Sequence, residues 1–509
     1  MDGVYIRREC LDAVGPLRED LFAQGYGEEN DFCLRARHLG WRHVAAPGVF
    51  VAHLGGASFG AARQALLARN GAVIERRYPG YDAMIAAHGV LDPLAPARFH
   101  LDAGRWAAGR AAGATILITH DSGGGVERAV RQRCAALRAA GRRAIVLRPV
   151  RRREGDPAPE NPDDAYHKGL CEVGDGTEGG YPNLRFAIPG QLTAVARLLR
   201  RDRADRVELH HLLGHHHAVT GLAALLAVPL DIHVHDYACI CPRVTLIGPE
   251  RRFCGEPLDP AVCDACVADT GRVIEETISA GALRARSAAG FAAADRVVAP
   301  ARDVARRLDR HFPGLRVHLE PFDRVIQGRR PPSPARPGGP CRVVVIGGIG
   351  LEKGYEALLG CARDAAARGL RLEFVVVGHT MDDGRLFDTG RVFVTGPYAE
   401  AEGEALARAQ GAHLAWLPSI CPETWSFTLS LAWQAGLPAA VFDIGAPADR
   451  VRAEVAAGRL GWVLPLGAPP ATINNALLAA ASHARDTRFL LHNHVDMLTP
   501  ERLGAYIHA

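Results

Sequence analysis

A carboxylate at the junction of a predicted strand and a predicted helix is the strongest chemical signal in this sequence. The apolar run 413–418 (HLAWLP) predicts a strand, a loop with two prolines and a cysteine follows it, and a helix is predicted to begin near Ser426. Glu423 therefore lies where a helix N-terminus opens at the end of a strand. Backbone N–H groups that gather at such a point favour phosphate, and a nearby carboxylate can bind sugar hydroxyls. The pattern is typical of a nucleotide-sugar site.

A glycine-rich turn at 347–354 (GGIGLEKG) separates another predicted strand from its helix. Gly348 and Gly350 would allow a ligand to approach the backbone, and Lys353 would bring a cation to the helix start, which suits a diphosphate. The alternative interpretation of the same residues is a tight turn with a solvated lysine. The spacing is one residue too long for a dinucleotide fingerprint, and His379 stands where a ribose-binding acid would be needed. This argues against a nicotinamide oxidoreductase or an epimerase.

A second glycine-rich loop lies earlier in the chain, at 121–125 (DSGGG). It follows a predicted strand and precedes a helix expected to begin near Val126. Gly123, Gly124 and Gly125 could admit a ligand to that helix N-terminus, although a flexible turn would explain them as well.

Histidines cluster at two further predicted strand ends. His235 and Asp236 (in HVHDY) stand where α/β enzymes place catalytic groups, and His235 could act as a base or contact a charged sugar or phosphate. A lone histidine is more often structural. The nearby His210, His211 and His233 raise the odds of a functional role.

The cysteine-rich segment 239–266 holds the best candidate for a metal site. Cys241, Cys254, Cys263 and Cys266 include one Cys-x-x-Cys pair and could complete a tetrahedral structural zinc site. Redox-labile thiols or small buried hydrophobic residues are the alternatives. The chain has twelve scattered cysteines in all, which fits reduced thiols better than a disulfide framework.

An acidic stretch near the N-terminus has two interpretations. Glu28, Glu29 and Asp31 fall in the first turn of a predicted helix, where acids complement the helix dipole. The alternative is a catalytic carboxylate, Glu29 or Asp31, that faces a sugar acceptor. His53 could ligate a metal.

Composition and charge narrow the class of protein. The 509 residues are 48% hydrophobic, and 60 basic against 56 acidic residues leave a net charge of +4, which gives no electrostatic footprint for nucleic acid. No segment resembles a signal peptide or has the roughly 18 uninterrupted apolar residues of a membrane helix. We therefore expect a cytoplasmic protein with no nucleic-acid partner, able to lie at the inner face of a membrane by peripheral association.

Strand and helix patterns alternate after residue 114 and again after residue 341, with a proline-rich segment between the two regions. This predicts the α/β class, with two Rossmann-like doubly wound domains that face each other across a cleft. The predicted parts are an N-terminal block at 1–95, a first domain at 96–325, a linker at 326–340, a second domain at 341–480 and a partly helical tail at 481–509.

The span from about 114 to 480 resembles the GT-B glycosyltransferases of the large retaining family 4, especially bacterial O-antigen and surface-polysaccharide enzymes. The matching segments are ITHDSGGGVERAV, VHDYACICPR with its following cysteines, the Lys-Gly pair of the second domain, and PETWSFTLSLAWQAGLP. The resemblance implies transfer of a sugar from a nucleotide-sugar donor to a glycan or lipid-linked acceptor. It also implies retention of anomeric configuration and no cofactor for catalysis.

The same resemblance implies roles for individual residues. Lys353 would meet the donor diphosphate, Glu423 would bind the donor sugar, and helix amides near Ser426 would face the phosphates. The implied donor-binding set is Gly348, Gly350, Lys353, Glu423, Thr424, Ser426, Phe427 and Thr428. The acceptor would enter from the side of the DSGGG loop and of His235.

Two positions depart from the family pattern. Leu431 stands where the family usually has a second glutamate that bonds the ribose hydroxyls, and Gly348 stands where an arginine is common. Each departure removes a polar or charged contact to the donor. They support an alternative from another class, a non-catalytic glycosyltransferase-like scaffold or partner that keeps the fold without donor affinity.

Residues 1–60 resemble the closing third of a GT-A glycosyltransferase of family 2. The matching segment is GVYIRRECLDAVGPLREDLFAQGYGEENDFCLRARHLGW. In that comparison Glu29 or Asp31 would be the acceptor-side acid, and His53 would match a histidine that can complete a metal site. The nucleotide-binding half with its Asp-x-Asp motif does not precede this segment, so we expect a remnant or a truncated gene product.

Overall fold

The computed structural model describes residues 4–22, 25–46, 49, 63–109, 113–151, 166–177, 180–274, 276–323 and 338–496. His53 and residues 326–337 of the predicted linker lie outside these ranges. The chain forms two compact units, one of residues 1–110 and 179–185 and the other of residues 111–178 and 186–509. The predicted end of the N-terminal block at residue 95 stays a prediction.

The first unit is helical in its described part. Its helices are α1 (Arg8–Val14), α2 (Glu19–Phe22), α3 (Glu28–His38), α4 (Arg63–Arg77), α5 (Tyr81–Leu91) and α6 (Ala95–Ala108). Helix α3 carries acids in its first turn and basic residues in its last, which complements the helix dipole at both ends. Phe22, Phe32 and Ile74 are among its buried hydrophobic residues.

The second unit begins with an eight-stranded sheet in the order β4-β3-β2-β1-β5-β6-β7-β8. The pairs β1·β2, β1·β5, β5·β6, β6·β7 and β7·β8 are parallel, and β2·β3 is antiparallel. The elements are β1 (Ala114–Ile118), α7 (Gly124–Ala139), β2 (Arg143–Arg151), β3 (Tyr166–Gly174), β4 (Arg185–Ala187), α8 (Leu192–Leu199), β5 (Ala204–Leu209), α9 (Leu222–Leu226), β6 (Leu230–His233), α10 (Pro260–Thr270), α11 (Ala280–Ala293), β7 (Arg296–Ala299), α12 (Arg302–His311) and β8 (Val317–Leu319). Strand β1 is buried along its whole length, as its continuous apolar run requires.

A parallel six-stranded sheet follows, in the order β11-β10-β9-β12-β13-β14. Its elements are β9 (Cys341–Ile349), α13 (Tyr355–Ala367), β10 (Leu372–Thr380), α14 (Asp383–Phe387), β11 (Val392–Val394), α15 (Gly403–Ala409), β12 (Leu414–Leu417), α16 (Phe427–Gln434), β13 (Ala439–Phe442), α17 (Gly445–Ala456), β14 (Gly461–Leu464) and α18 (Pro470–Asp496).

Strand β9 shows how helices cover both faces of this second sheet. Val343 and Val345 pack in one buried cluster with residues of α13 and α18. Val344 and Ile346 point the other way, into a cluster with residues of α15, α16 and α17. Because successive side chains of a strand alternate between faces, a strand buried on both sides reads as a continuous apolar run.

The predicted α/β class with two Rossmann-like domains is confirmed, since both sheets of the second unit are dominated by parallel strands. No helix in the described part of the chain is both long and apolar enough to cross a membrane.

Candidate active site

The loop between β12 and α16 has the strand–loop–helix form predicted around Glu423. Helix α16 begins at Phe427, directly after the predicted start, and Ser426 precedes it with a left-handed φ of 72°. A non-glycine residue in that conformation costs about 1–2 kcal/mol, so the surroundings must hold it in place. The glycine Gly445 lets α17 approach the loop, because an added Cβ there would lie 2.7 Å from the Pro422 Cα.

Arg450 of α17 holds this loop from beneath. Its guanidinium donates hydrogen bonds to the carbonyls of Trp425 (2.9 Å) and Ser426 (2.8 Å) and to the Ser430 hydroxyl (2.7 Å). It also lies 3.8 Å from the centre of the Trp425 ring. Since Arg450 is buried, these contacts replace water for its two Nη groups and fix the backbone that leads into α16.

Lys353 forms an ion pair with Glu423, which belongs to this loop. Lys353 Nζ lies 2.6 Å from Glu423 Oε2, with side-chain exposures of 36% and 10%. Burial by itself would raise the pKa of Glu423, but Lys353 outweighs it and holds that pKa below its usual range. Burial opposes the charge of Lys353 as well, and Glu423 raises its pKa. Both groups are therefore charged at neutral pH, a cation and an anion side by side.

A cavity of about 290 Å³ lies beside α16, between the two sheets of the second unit. Glycines line it from both halves of the second unit: Gly124 at the start of α7, Gly347 and Gly348 in β9, and Gly378 in β10. Its remaining walls include the Phe427, Thr428 and Leu431 positions of α16. The two glycine-rich turns predicted from the sequence therefore meet at one cavity.

Two arginines of α7 supply positive charge to this cavity. Arg128 and Arg131 both pair with Glu400 of the second sheet's domain, at 2.8 and 2.7 Å. The Arg128 guanidinium also lies 4.6 Å from the centre of the Phe427 ring. All four residues line the cavity, so its wall combines cations, an acid and an aromatic face.

The two positions that depart from the expected pattern also line the cavity. Gly348 pairs with His379 on the neighbouring strand, and a Cβ added at Gly348 would lie 3.1 Å from His379 Nε2. The His379 ring therefore occupies the space that a side chain at 348 would need. Leu431 presents an apolar side chain, which packs near Gly403 of α15.

The DSGGG loop is brought against α16. Helix α7 begins at Gly124 rather than near Val126, and Gly123 and Gly124 have left-handed φ values of 75° and 73°. A Cβ added at Gly125 would lie 3.4 Å from the Phe427 ring. The glycines therefore allow the start of α7 to approach the start of α16.

His235 also reaches the Glu423 loop. Its backbone carbonyl accepts a hydrogen bond of 2.5 Å from the Thr424 hydroxyl, and its ring stacks on Phe322 at 4.5 Å. Burial lowers the pKa of His235 well below its usual value, which keeps the ring neutral. Asp236 points elsewhere and pairs with His211 at 2.8 Å. Of the predicted His–Asp pair, His235 is the one whose backbone contacts the Glu423 loop.

The four candidate zinc ligands are near one another without forming a compact group. All are unpaired thiols, with Cys263 and Cys266 on α10, and Arg284 donates to Cys263 Sγ at 3.1 Å. Burial, with a contribution from the other three thiols, raises the pKa of Cys241 to about 11. The one set of potential ligands within 4.8 Å of each other, over the described residues, contains no cysteine. Zinc at Cys241, Cys254, Cys263 and Cys266 stays a prediction.

In the first unit the predicted acids lie in α3. Asp31 is fully buried, and its oxygens accept hydrogen bonds from Arg35 (2.8 Å), Arg77 (3.2 Å) and Tyr78 (2.8 Å). Glu29 accepts a weak bond from the backbone of Gly27 at 3.4 Å. The contacts of Asp31 suffice for a structural role, and a catalytic role for either acid stays a prediction.

Comparison with known proteins gives distant structural matches. The structure of the GtfA/B complex matches with 13% identity and a TM-score of 0.44, covering 74% of this chain and 96% of that chain. Anabaena HepE in complex with UDP and glucose matches with 12% identity and a TM-score of 0.42, covering 74% and 94%. The apo form of the lipopolysaccharide outer core galactosyltransferase WaaB matches with 12% identity and a TM-score of 0.44, covering 73% and 90%.

No protein-family model matches the chain, and no curated protein matches it in sequence.

Proposed function

We propose that this chain is a glycosyltransferase that moves a sugar from a nucleotide-sugar donor to a glycan or lipid-linked acceptor. The observation that carries the proposal is the Lys353–Glu423 pair at the loop that leads into α16. A lysine and a helix N-terminus together suit a diphosphate, and a carboxylate beside them suits the hydroxyls of the attached sugar. The loops after the neighbouring strands β9 and β12 thus offer contacts for both parts of a donor.

In this proposal the donor lies along α16. Lys353 and the first amides of α16 contact the diphosphate, and the glycine backbone at Gly348 and Gly350 allows it to approach. Glu423 accepts hydrogen bonds from the sugar hydroxyls, and the Thr424–His235 hydrogen bond joins the sugar side of the site to the first sheet. The acceptor enters past Gly123–Gly125. No metal is needed in this scheme, because Lys353 and the helix amides balance the charge of the leaving diphosphate.

The finer assignments belong to the same proposal. They are retention of anomeric configuration, a place in bacterial surface-polysaccharide or O-antigen synthesis, and a cytoplasmic location with peripheral attachment at the inner face of the membrane. The family resemblance of residues 114–480 supports the first two of these.

A non-catalytic scaffold is the second candidate, and one feature of the cavity favours it. Leu431 presents methyl groups where a ribose would need a polar partner, so a nucleotide loses a hydrogen bond that it had in water. In the scaffold, the fold would persist while donor affinity is lost.

A donor screen separates the two candidates. Purified full-length protein is mixed with UDP- and GDP-linked sugars, with and without polysaccharide acceptors, and release of nucleoside diphosphate is measured alongside calorimetric binding of UDP and GDP. The enzyme predicts binding that Lys353→Ala and Glu423→Ala alter, together with acceptor-dependent release. Glu373→Gln is a matched control, since Glu373 pairs with Arg342 at the opposite end of the same sheet. If the protein binds none of the nucleotides and nucleotide sugars tested, the glycosyltransferase proposal is overturned and the scaffold proposal is supported.

A further inference from the structure

A group of three potential metal ligands, two of them buried and one half-buried, lies in the first sheet, apart from the Lys353–Glu423 pair. The strands β5 and β6 are parallel, and Leu209 is paired with Ile232. One residue further along each strand, His210 and His233 come side by side, with ring centres 4.5 Å apart. Glu208 lies two residues before His210 and thus on the same face. One ligand atom from each of the three lies within 4.8 Å of the others.

Two ring nitrogens in this group have no hydrogen-bond partner among the residues that the structure describes. They are Nε2 of His210 and Nε2 of His233, and both atoms are buried. Oε2 of Glu208 lies 3.5 Å from His210 Nε2, which is long for a hydrogen bond. A buried polar atom without a partner costs about 1–3 kcal/mol, so two such atoms on neighbouring imidazole rings call for an explanation.

We propose that Glu208, His210 and His233 bind a divalent transition-metal cation of the zinc class. Two imidazole nitrogens and one carboxylate oxygen are ligands that such borderline cations accept, and three protein ligands leave a position for water. The cation would give a partner to His210 Nε2, which lies beside the Glu208 carboxylate. This inference does not depend on the proposed sugar transfer.

The environment of His210 already resembles that of a metal ligand. Its other ring nitrogen, Nδ1, lies 2.9 Å from His235 Nε2. Ligating histidines almost always have a hydrogen-bond partner on the second nitrogen, which fixes the ring and its tautomer. With a cation on Nε2, the His210 proton lies on Nδ1 and is donated to His235, so the metal site would set the proton position of a residue that contacts the Glu423 loop.

The positive charge of Arg133 would repel a cation bound at this site, and this makes a prediction that is specific to the site. Its guanidinium contacts both oxygens of Glu208, with Nη2–Oε1 at 2.6 Å and Nε–Oε2 at 3.0 Å. A metal must take one oxygen from this contact and accept a positive neighbour. The Arg133 side chain is 41% exposed and can turn into water. Its repulsion of the cation therefore lowers the affinity for metal but does not prevent metal binding. Loss of Arg133 would therefore strengthen metal binding, although it removes an ion pair.

The test measures Co²⁺ and Zn²⁺ binding to full-length protein that has been stripped with a chelator. We expect one cation at this site, and we expect Arg133→Gln to bind it at least about 10-fold more tightly. His233→Asn should weaken binding by about 10-fold or more. His318→Asn, at an exposed histidine of β8 in the same sheet, is the matched control and should bind as the wild type does.

The Co²⁺ spectrum distinguishes this site from the cysteines, because thiolate ligands add intense near-ultraviolet charge-transfer bands and the Glu/His/His set does not. The proposal is overturned if no cation binds, if every bound Co²⁺ shows thiolate bands, or if Arg133→Gln binds no more tightly than wild type. If His233→Asn does not fold, the direction of change in Arg133→Gln still decides the question.

Discussion

The ion pair of Lys353 and Glu423 makes a prediction in which two substitutions act in opposite directions. In this structure Lys353 is engaged by Glu423 at 2.6 Å, so a diphosphate has to compete with that carboxylate for the ammonium group. Glu423→Gln removes the competitor and should tighten binding of UDP or GDP. Lys353→Met removes the cation itself and should weaken binding of the same ligands.

The magnitudes follow from the exposure of the pair. An ion pair whose lysine is 36% exposed is partly screened by water, which puts its contribution near 1 kcal/mol and the expected gain in Glu423→Gln at about 5-fold in Kd. A hydrogen bond to a charged group contributes about 1.5–3 kcal/mol, so Lys353→Met should lose about 10- to 100-fold. For a sugar nucleotide the gain in Glu423→Gln should shrink or reverse, because the amide accepts hydrogen bonds from the sugar less strongly than the carboxylate.

Isothermal titration calorimetry with UDP, GDP and the matching UDP- and GDP-sugars measures these changes. Glu373→Gln removes the acid of the Arg342–Glu373 pair in the same domain and serves as the control, with no change expected in any Kd. If Glu423→Gln and Lys353→Met weaken nucleoside diphosphate binding alike, the two residues support the fold rather than compete at a phosphate site. If neither changes binding, the diphosphate lies elsewhere.

Three further predictions concern stability. Gly354→Ala should lower the free energy of unfolding in urea by more than about 3 kcal/mol, because its Cβ would lie 1.9 Å from the Pro418 carbonyl oxygen. Gly467 has a similar positive φ, and no atom of the described residues lies within 4 Å of a Cβ added there, so Gly467→Ala should cost about 1 kcal/mol. Equal costs would contradict the close approach. Arg450→Met should lower the free energy of unfolding by about 3 kcal/mol or more, because it leaves buried carbonyls without a hydrogen-bond donor. Arg450→Lys should not restore that stability, since one ammonium group cannot reach three acceptors arranged for a guanidinium. Full rescue by lysine would argue that charge alone matters. Burial lowers the pKa of His120 from 6.5 to about 4. Between those pH values the unfolded chain binds more protons than the folded chain, so the free energy of unfolding falls as the pH drops. The fall should be about 2 kcal/mol at pH 5 relative to pH 7. His120→Asn should reduce that pH dependence by a similar amount in urea titrations at the two pH values, and an unchanged slope would mean that His120 takes up its proton in the folded protein.

Local sequence patterns predicted the elements around the site well. The onset of α16 was expected near Ser426 and lies at Phe427, because a strand, a proline-containing loop and an apolar helix leave little freedom in placing that boundary. The start of α7 was expected near Val126 and lies at Gly124, because glycines that read as a turn can also occupy the first turn of a helix. Lys353 and Glu423 were expected to act on one ligand, and the structure pairs them directly.

Contacts between distant parts of the chain escaped prediction. Arg131 and Glu400 are 269 residues apart, and each belongs to a charged segment that reads as ordinary surface. Arg450 lies on a helix whose sequence shows no unusual charge pattern, and only the packed loop reveals its three acceptors. Glu208 had one local signal, a single acid within the otherwise apolar end of strand β5, but its partner Arg133 and the neighbouring His233 come from other elements.

The double pairing of Arg128 and Arg131 with Glu400 has a consequence for how a ligand enters the cavity. The carboxylate serves as an internal counter-ion, so a phosphate that reaches these guanidinium groups replaces one anion by another and changes the charge of the wall little. The same exchange breaks the bonds that fasten α7 of the first sheet to the 397–402 segment of the second. Entry of an anion and loss of the arginine–Glu400 ion pairs between the two halves are therefore one ion-exchange event. The rate of this event should depend on ionic strength.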